Sequence, residues 1–463
     1  MFAMSRRVLL WAALAAVAFS PVGVGALPSF PGARLLPVAL FAFSVYAFSF
    51  APSWRPRQAA LVLLSACFAV TFFDLGARTL IFYLYERDRP AAIDTRRWPP
   101  LPRLLRYEPG VNFEGMTYGD LAFRSWRRDW REPRCVRFVT DAYGFRNEPP
   151  AAGEAGRPLD VIVLGDSFGA TNSTSQEQLV SGVLARDYGL SVYNLSVSAS
   201  SPQQEYATLL LEGERLKMRE GARVLWLLFS GNDLDDPYYP ELEDPRPRGS
   251  GPLAWLVLNF NDFRARSPVR RLLSPGEDGA IIERTFPDGR ALLFHDRYAR
   301  NSRRTADEVR RHPNFEHLRA TLSAMRRLAG ERHLEVDVAL VPSKEEVYSW
   351  VLDGKSPWTS SEEPSGVSTV LSELCGWQGF RFVDLKPALV EASRRAFEES
   401  GALLWWRDDT HWGPVGQRVA ATVIYERLLH DLSVASNLPR QGATTSATPT
   451  PRSCYGTMFT CAR

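Results

Sequence analysis

Three apolar stretches open the chain. Val8 to Leu27, Leu35 to Ala51 and a run from Gln58 past Asp74 and Arg78 each approach the roughly 20 residues that a bilayer core requires. With so little charge inside them, they read as transmembrane helices over residues 1–86. From Asp160 the pattern changes. Short apolar runs, "DVIVLG", "SVYNLSV", "ARVLWLLFS", "EVDVALVPS" and "FRFVDL", alternate with blocks that are apolar on one helical face. Strands alternating with helices predict right-handed crossovers and an α/β domain, a parallel sheet with helices on both faces.

Between these regions, residues 87–158 are rich in Arg, Pro and Trp and read as an irregular linker with a hairpin. The regular domain spans 159–433. An insertion at about 234–306 interrupts it, and "IIERTFPDGRALLF" predicts a hairpin turning at Pro287-Asp288-Gly289. Residues 434–463 are rich in Thr, Ala, Pro and Ser and read as a disordered tail.

Charge refines the membrane region. Arg6 and Arg7 precede the first stretch, Arg55 and Arg57 lie between the second and third, and Arg34 stands alone between the first two. The positive-inside rule then keeps the N-terminus and the Arg55 loop in the cytoplasm and sends the chain out after the third stretch. Small residues ending at Ala26 also suit a signal-peptidase site, which leaves the same topology. If the third stretch does not span, the domain faces the cytoplasm.

Composition excludes other classes. A net charge of +3 over 463 residues, with scattered arginines, gives no nucleic-acid footprint. The five cysteines and six histidines form no pattern with metal-ligand spacing, so no metal and no cofactor are expected. The 45% hydrophobic content suffices for a sizeable core.

Candidate chemistry sits at predicted strand ends, where open α/β sheets build their sites. "VIVLGDSFGATN" places Asp166 and Ser167 after the first strand. Gly165-Asp166-Ser167-Phe168-Gly169 fits the G-x-S-x-G nucleophile elbow, but an elbow follows a strand deep within the sheet, and here only the irregular module precedes it. "YNLSVSASSPQQ" puts a tight loop around Ser196, and "LLFSGNDLDD" ends a strand at Gly231-Asn232-Asp233. "WWRDDTHWGPVGQ" sets Asp408, Asp409 and His411 before the last helix.

These four blocks in this order resemble the SGNH, or GDSL, hydrolases, over about Asp160 to Leu432. The resemblance implies a flavodoxin-like fold and a Ser-His-Asp triad: Ser167 as nucleophile, His411 as base, Asp408 by family spacing as the acid that orients it. It implies oxyanion donors from the Ser167 N–H, the Ser196 N–H and the Asn232 side chain, with Asp166 and Gly231 in support. Ser196 stands where the family usually has glycine. Trp405, Trp406 and Trp412 are candidates to stack on sugar rings, or else to pack.

"LVPSKEEVYSW" and "RDDTHW" are similar to segments of the SGNH-like proteins that acetylate alginate and related exopolysaccharides. In that pattern the acid stands two residues before the histidine, which is Asp409 here. There the Asp/His block precedes the serine, whereas here the serine comes first. The leading expectation is a membrane-anchored, extracytoplasmic serine esterase acting on O-acyl groups of an envelope glycan or lipid. The first alternative is an O-acyltransferase of an exopolysaccharide, with a membrane-bound acyltransferase as partner. The second is a non-catalytic module in envelope assembly.

Overall fold

A computed structural model describes residues 54–86, 90–98, 101–125, 127–149, 156–245 and 280–434. The first two apolar stretches, "PLAWLVLNFNDF" in the insertion, and the tail with Cys454 and Cys461 lie outside the described residues. The chain divides into two compact units, Met1–Asp88 with Ser250–Ala280 and Arg89–Gly249 with Ile281–Arg463.

In the first unit, the third apolar stretch forms helix α1, Trp54–Ile81. An ion pair sits within it, Arg78 Nε donating to Asp74 Oδ2 at 2.7 Å. Among the described residues no helix is long and apolar enough to cross a membrane, so the expected third span is without support.

The second unit begins with two antiparallel hairpins. Strands β1 (Arg96–Trp98) and β2 (Leu101–Arg106) form one. Strands β3 (Asn112–Thr117) and β4 (Arg134–Val139) form the other, and a short helix α2 (Asp120–Arg124) lies in the connection between them. Five strands then make the central sheet: β5 (Leu159–Gly165), β6 (Val192–Asn194), β7 (Met218–Phe229), β10 (Glu335–Val341) and β11 (Arg381–Asp384). Their spatial order is β6-β5-β7-β10-β11, every neighbouring pair parallel. This is the flavodoxin-like order, with its switch point between the first and third strands, β5 and β7. A crevice forms there because successive connections leave in opposite directions, and both Ser167 and Asn232 follow those strands.

The alternation of side chains along each strand builds two cores. Val161, Val163, Leu225 and Leu227 face helices α4 (Val180–Tyr188), α8 (Lys386–Ser400) and α9 (Pro414–Ile424). Ile162, Leu164, Val224, Trp226 and Leu228 face α5 (Pro202–Glu212), α6 (Phe315–Glu331) and α7 (Gly366–Gln378). Full burial of such a side chain stabilises by about 1.5–3 kcal/mol.

Helix α5 starts where its sequence directs: Ser201 Oγ accepts from the Gln204 N–H, Gln204 Oε1 accepts from the Ser201 N–H at 2.8 Å, and Pro202 occupies the first turn. In the insertion, β8 (Ile281–Thr285) and β9 (Ala291–His295) form the predicted hairpin, with Gly289 at φ +85° in its turn.

Candidate active site

The serine turn is assembled from neighbours in sequence. β5 ends at Gly165, and Asp166 caps α3 (Ser167–Ala170) by accepting the Phe168 N–H on Oδ1 at 2.8 Å. Ser167 is partly exposed at the start of that turn, while Phe168, Gly169 and Ala170 are buried. Burial, only partly offset by the Phe168 N–H, raises the Asp166 carboxyl to about 6.

The histidine loop is assembled from afar. Trp405 and Trp412 pair as an antiparallel bridge, and Gly413 N–H donates to Leu404 O at 2.7 Å, closing the loop 405–412 at its base. Gly416 lets α9 approach that base, since a Cβ there would lie 2.4 Å from Leu404 O. Buried Lys344 donates from Nζ to Trp406 O at 2.8 Å and Leu293 O at 3.0 Å; burial lowers its ammonium to about 8.

The two adjacent acids of this loop have different tasks. Asp409 Oδ1 accepts from His411 Nδ1 at 2.6 Å and from the His411 N–H at 3.0 Å. Asp408 turns the other way. Its carboxylate accepts the Gly119 N–H and the Glu132 N–H, each at 2.8 Å, and pairs with the Arg134 guanidinium. Its carbonyl accepts the Leu121 and Ala122 N–H groups at 3.1 and 3.2 Å. Asp408 therefore fastens the hairpin module to the loop, and the orienting role expected for it falls to Asp409. Gly119 is required by the close approach: a Cβ there would come within 1.9 Å of Asp408 O.

Burial alone would lower the His411 pKa, but the Asp409 charge and hydrogen bond, aided by Asp120 and Asp166, raise it above its ordinary value. Asp409 is held far below the usual carboxylate range, against its own burial, by His411 and then Arg134. The loop meets the serine turn through Phe168, whose ring centroid lies 5.2 Å from that of His411.

Three further expectations change. The Ser196 N–H donates to Asn194 Oδ1 at 2.9 Å and the residue is fully buried, so it is no oxyanion donor. Its hydroxyl instead fills the space behind Gly169, where a Cβ would come within 2.2 Å of it. In the same loop, Val197 N–H donates to Gly165 O, Ser198 N–H to the Tyr107 hydroxyl and Ser200 N–H to Val197 O. Ala199, exposed and at φ +66°, carries the N–H that this pattern leaves available. A small residue directly after Ser198 in a tight loop was the signal in the sequence.

Trp405 and Trp412 are buried against each other and the core, which removes them as sugar platforms. The ring of Trp406 is covered by the Arg134 guanidinium at 4.4 Å. Asn232 stays at the switch point, with Nδ2 donating to Asp236 Oδ1 and Oδ2 at 3.2 and 3.3 Å. Gly231 precedes it, its carbonyl accepting from Asn301 Nδ2 at 2.6 Å.

Sequence reasoning also missed Asp120. Polar atoms of Asp120, Asp409 and His411 lie within 4.8 Å of one another. Their bonds are with each other and with Thr410, so we read a charge cluster around an imidazole and not a ligand set. Nothing in the local sequence around Asp120 announces this; the contact spans 290 residues.

Asp409, the acid two residues before the histidine, lies in a segment that matches a known family. Residues 296–462 match the family model of the SGNH hydrolase-like domain of the acetyltransferase AlgX. Over that segment the chain is similar to an SGNH hydrolase-like domain. The esterase EstA from Pseudoalteromonas sp. is 12% identical with a TM-score of 0.30, covering 59% of this chain and 97% of its own. A putative lipolytic protein of the G-D-S-L family from Desulfitobacterium hafniense is 13% identical with a TM-score of 0.30, covering 58% and 98%. No curated protein matches the chain. An SGNH hydrolase-like domain of this type implies acyl-ester chemistry in general, as esterase or acyltransferase.

Proposed function

We propose that this chain is an O-acyltransferase, acetyl being the first group to test, that moves an acyl group through Ser167 to a hydroxyl of an envelope polysaccharide. The observation that carries the reading is the bond from His411 Nδ1 to Asp409, two residues earlier, the spacing of the transferase pattern.

Ser167 Oγ attacks the acyl carbonyl of the donor ester. With Nδ1–H held by Asp409, His411 Nε2 takes the serine proton and returns it to the departing alcohol. The oxyanion is met by the N–H groups of Ser167 and Ala199 and one N–H of Asn232 Nδ2; each such donor is worth about 2.7–4 kcal/mol in the transition state. In the second half the acceptor hydroxyl attacks the acyl-serine, His411 again taking the proton.

The serine-first block order favours a second reading, an esterase in which water is the acceptor. The two share every residue, so the acceptor distinguishes them. Labelled acetyl should pass from an acetyl ester to an added polysaccharide in preference to water, and only with Ser167 intact. Release of free acetate alone returns the esterase reading. Persistent acetyl turnover in Ser167→Ala removes both.

Membrane anchoring and a site outside the cytoplasm belong to this proposal; the arginines flanking the apolar stretches support them, and they require a span at the third stretch, which helix α1 by itself does not support. A phosphatase reporter fused after residue 434 should be active; an inactive but stable fusion puts the domain in the cytoplasm.

A further inference from the structure

We propose that Asp120, supplied by the hairpin module ahead of the serine, is a positioning residue for the catalytic imidazole: a second carboxylate that, across the Thr410 turn, holds His411 and stabilises its protonated form. This rests on the acyl-transfer reading above.

The geometry is specific. Asp120 Oδ1 accepts the Thr410 N–H at 2.8 Å, and Oδ2 accepts the Thr410 hydroxyl at 3.1 Å. That hydroxyl is 3.3 Å from His411 Nδ1, the same nitrogen that Asp409 holds. Two carboxylates thus flank one imidazole, with polar atoms of all three residues inside 4.8 Å.

Anchoring does not require the second charge. Four N–H groups, from Gly119, Leu121, Ala122 and Glu132, already tie the module to Asp408. The Thr410 N–H would be satisfied by any neutral acceptor. A carboxylate this close to Asp409 is repelled by it, and burial with that repulsion raises the Asp120 pKa. The arrangement is sustained because cations surround it. His411 faces Asp409 from its own loop, Asp120 from α2 and Asp166 from the serine turn. Asp120 faces Arg124, whose Nε is 3.4 Å from its Oδ2. Asp409 faces Arg134 on β4 at 3.8 Å, and Lys344 faces both acids and Asp408. Tyr298 is near enough to feel the charges of Asp120, Arg124 and Glu345.

The chemistry benefits as the proton moves. When His411 takes the serine proton, the imidazolium forms between two carboxylates already in place, so the stabilisation arises in the transition state and not in the resting site.

The test uses the full chain and a fluorophosphonate probe, following the rate of Ser167 labelling against pH. Asp120→Asn keeps an acceptor for Thr410 and removes the charge. Its acidic limb should move to lower pH by about one unit, because the imidazolium has lost a partner. Its plateau should fall roughly tenfold, because the base is weaker. Arg124→Gln, which removes a cation beside Asp120, should move the limb the other way. It serves alone should Asp120→Asn fail to fold. Thr410→Val, which breaks the hydroxyl contact and keeps the charge, should slow labelling and leave the limb in place.

An unmoved limb in Asp120→Asn, with or without a slower plateau, assigns Asp120 to anchoring and overturns the proposal. An unmoved or lowered limb in Arg124→Gln does the same. A wild-type chain that is not labelled at any pH overturns the acyl-transfer reading and Asp120 with it. A labelled wild type with an unmoved variant limb overturns Asp120 alone.

Discussion

The serine turn and the histidine loop face each other at one sheet edge and are built on opposite principles. Asp166 caps its turn by accepting an N–H two residues on, and the apolar run of β5 delivers Ser167 to the strand end without outside help. The 405–412 loop takes its shape from donors 274 to 289 residues away: Arg134, Glu132 and Gly119, all converging on Asp408. The proposed nucleophile is therefore a local product of its sequence, while the orientation of its proposed base depends on the hairpin module being folded and docked. Changes that respect this division should separate chemistry from architecture, even between adjacent residues.

The largest separation is expected between Asp409 and Asp408. Asp409→Asn leaves the loop's long-range bonds intact but offers His411 Nδ1 an amide where a carboxylate stood. Acyl transfer should fall by about 10⁴-fold, with the fold unchanged by circular dichroism. A loss under tenfold would return the orienting role to another acid. The same bond predicts the pH profile. His411 acts as base only when neutral, and its pKa is raised from 6.5, so the acidic limb of activity should lie above pH 6.5. Stability carries both signs. The depressed Asp409 contributes stability that is present above its ordinary value of 3.8 and lost as pH falls through its folded value. The raised His411 contributes stability present below 6.5 and lost as pH rises through its folded value. Urea midpoints should therefore be highest between these limits, and Asp409→Asn should flatten the dependence.

Asp408→Ala comes next and should act on architecture. It removes the nearer carboxylate from the Arg134 guanidinium, which is 4% exposed, and orphans the Gly119 and Glu132 N–H groups. Breaking a buried pair on one side costs about 3–5 kcal/mol. The urea midpoint should drop accordingly, and activity should fail along with the module's docking. Preserved stability with lost activity would instead make Asp408 part of the chemistry.

What was legible in the sequence follows the same division. The β5 run and the Pro287-Asp288-Gly289 turn are encoded within a few residues of themselves, and the parallel pairing follows from strands alternating with helices. Ser167 and Asn232 fall just after β5 and β7 as expected, because strand ends announce themselves. The choice between Asp408 and Asp409 could not be made from spacing, because it is decided by Arg134 and the Gly119 N–H, which no local pattern connects to this loop. Ala199 escaped notice, and only Ser196 was named, because side-chain identity hides which backbone N–H a loop has already committed. The tryptophans stay open between stacking on sugars and packing for want of any sign that Trp405 and Trp412 pair across the loop.

On the local side of the division, effects should be smaller. Asp166→Ala removes the cap of the serine turn, and loss of a cap costs about 1 kcal/mol. The urea midpoint should shift by that much. Fluorophosphonate labelling should slow as Ser167 loses its fixed position, while the acidic limb moves slightly down, because Asp166 is one of the charges that favour the imidazolium. A shift of several kcal/mol would mean that this turn, too, depends on distant support.

Ala199→Gly sharpens the comparison with the smallest expected change. Ala199 sits at φ +66°, where a Cβ presses on the following carbonyl at a cost of about 1–2 kcal/mol. Its neighbours hold it there: Ser198 N–H is fixed to the Tyr107 hydroxyl and Ser200 N–H to Val197 O. Glycine adopts this conformation without strain but gives back part of that gain through the freer unfolded chain, so a net stabilisation of up to about 1 kcal/mol is expected. The N–H stays where it was. If it is an oxyanion donor, acyl transfer should persist within a few-fold, and replacing the Ala199 amide by a backbone ester, which deletes the N–H and keeps the loop's φ, should cost a further hundredfold or so in turnover. Equal activity in the glycine and ester variants would remove Ala199 from the oxyanion site and leave the Ser167 N–H and Asn232 to hold the charge alone.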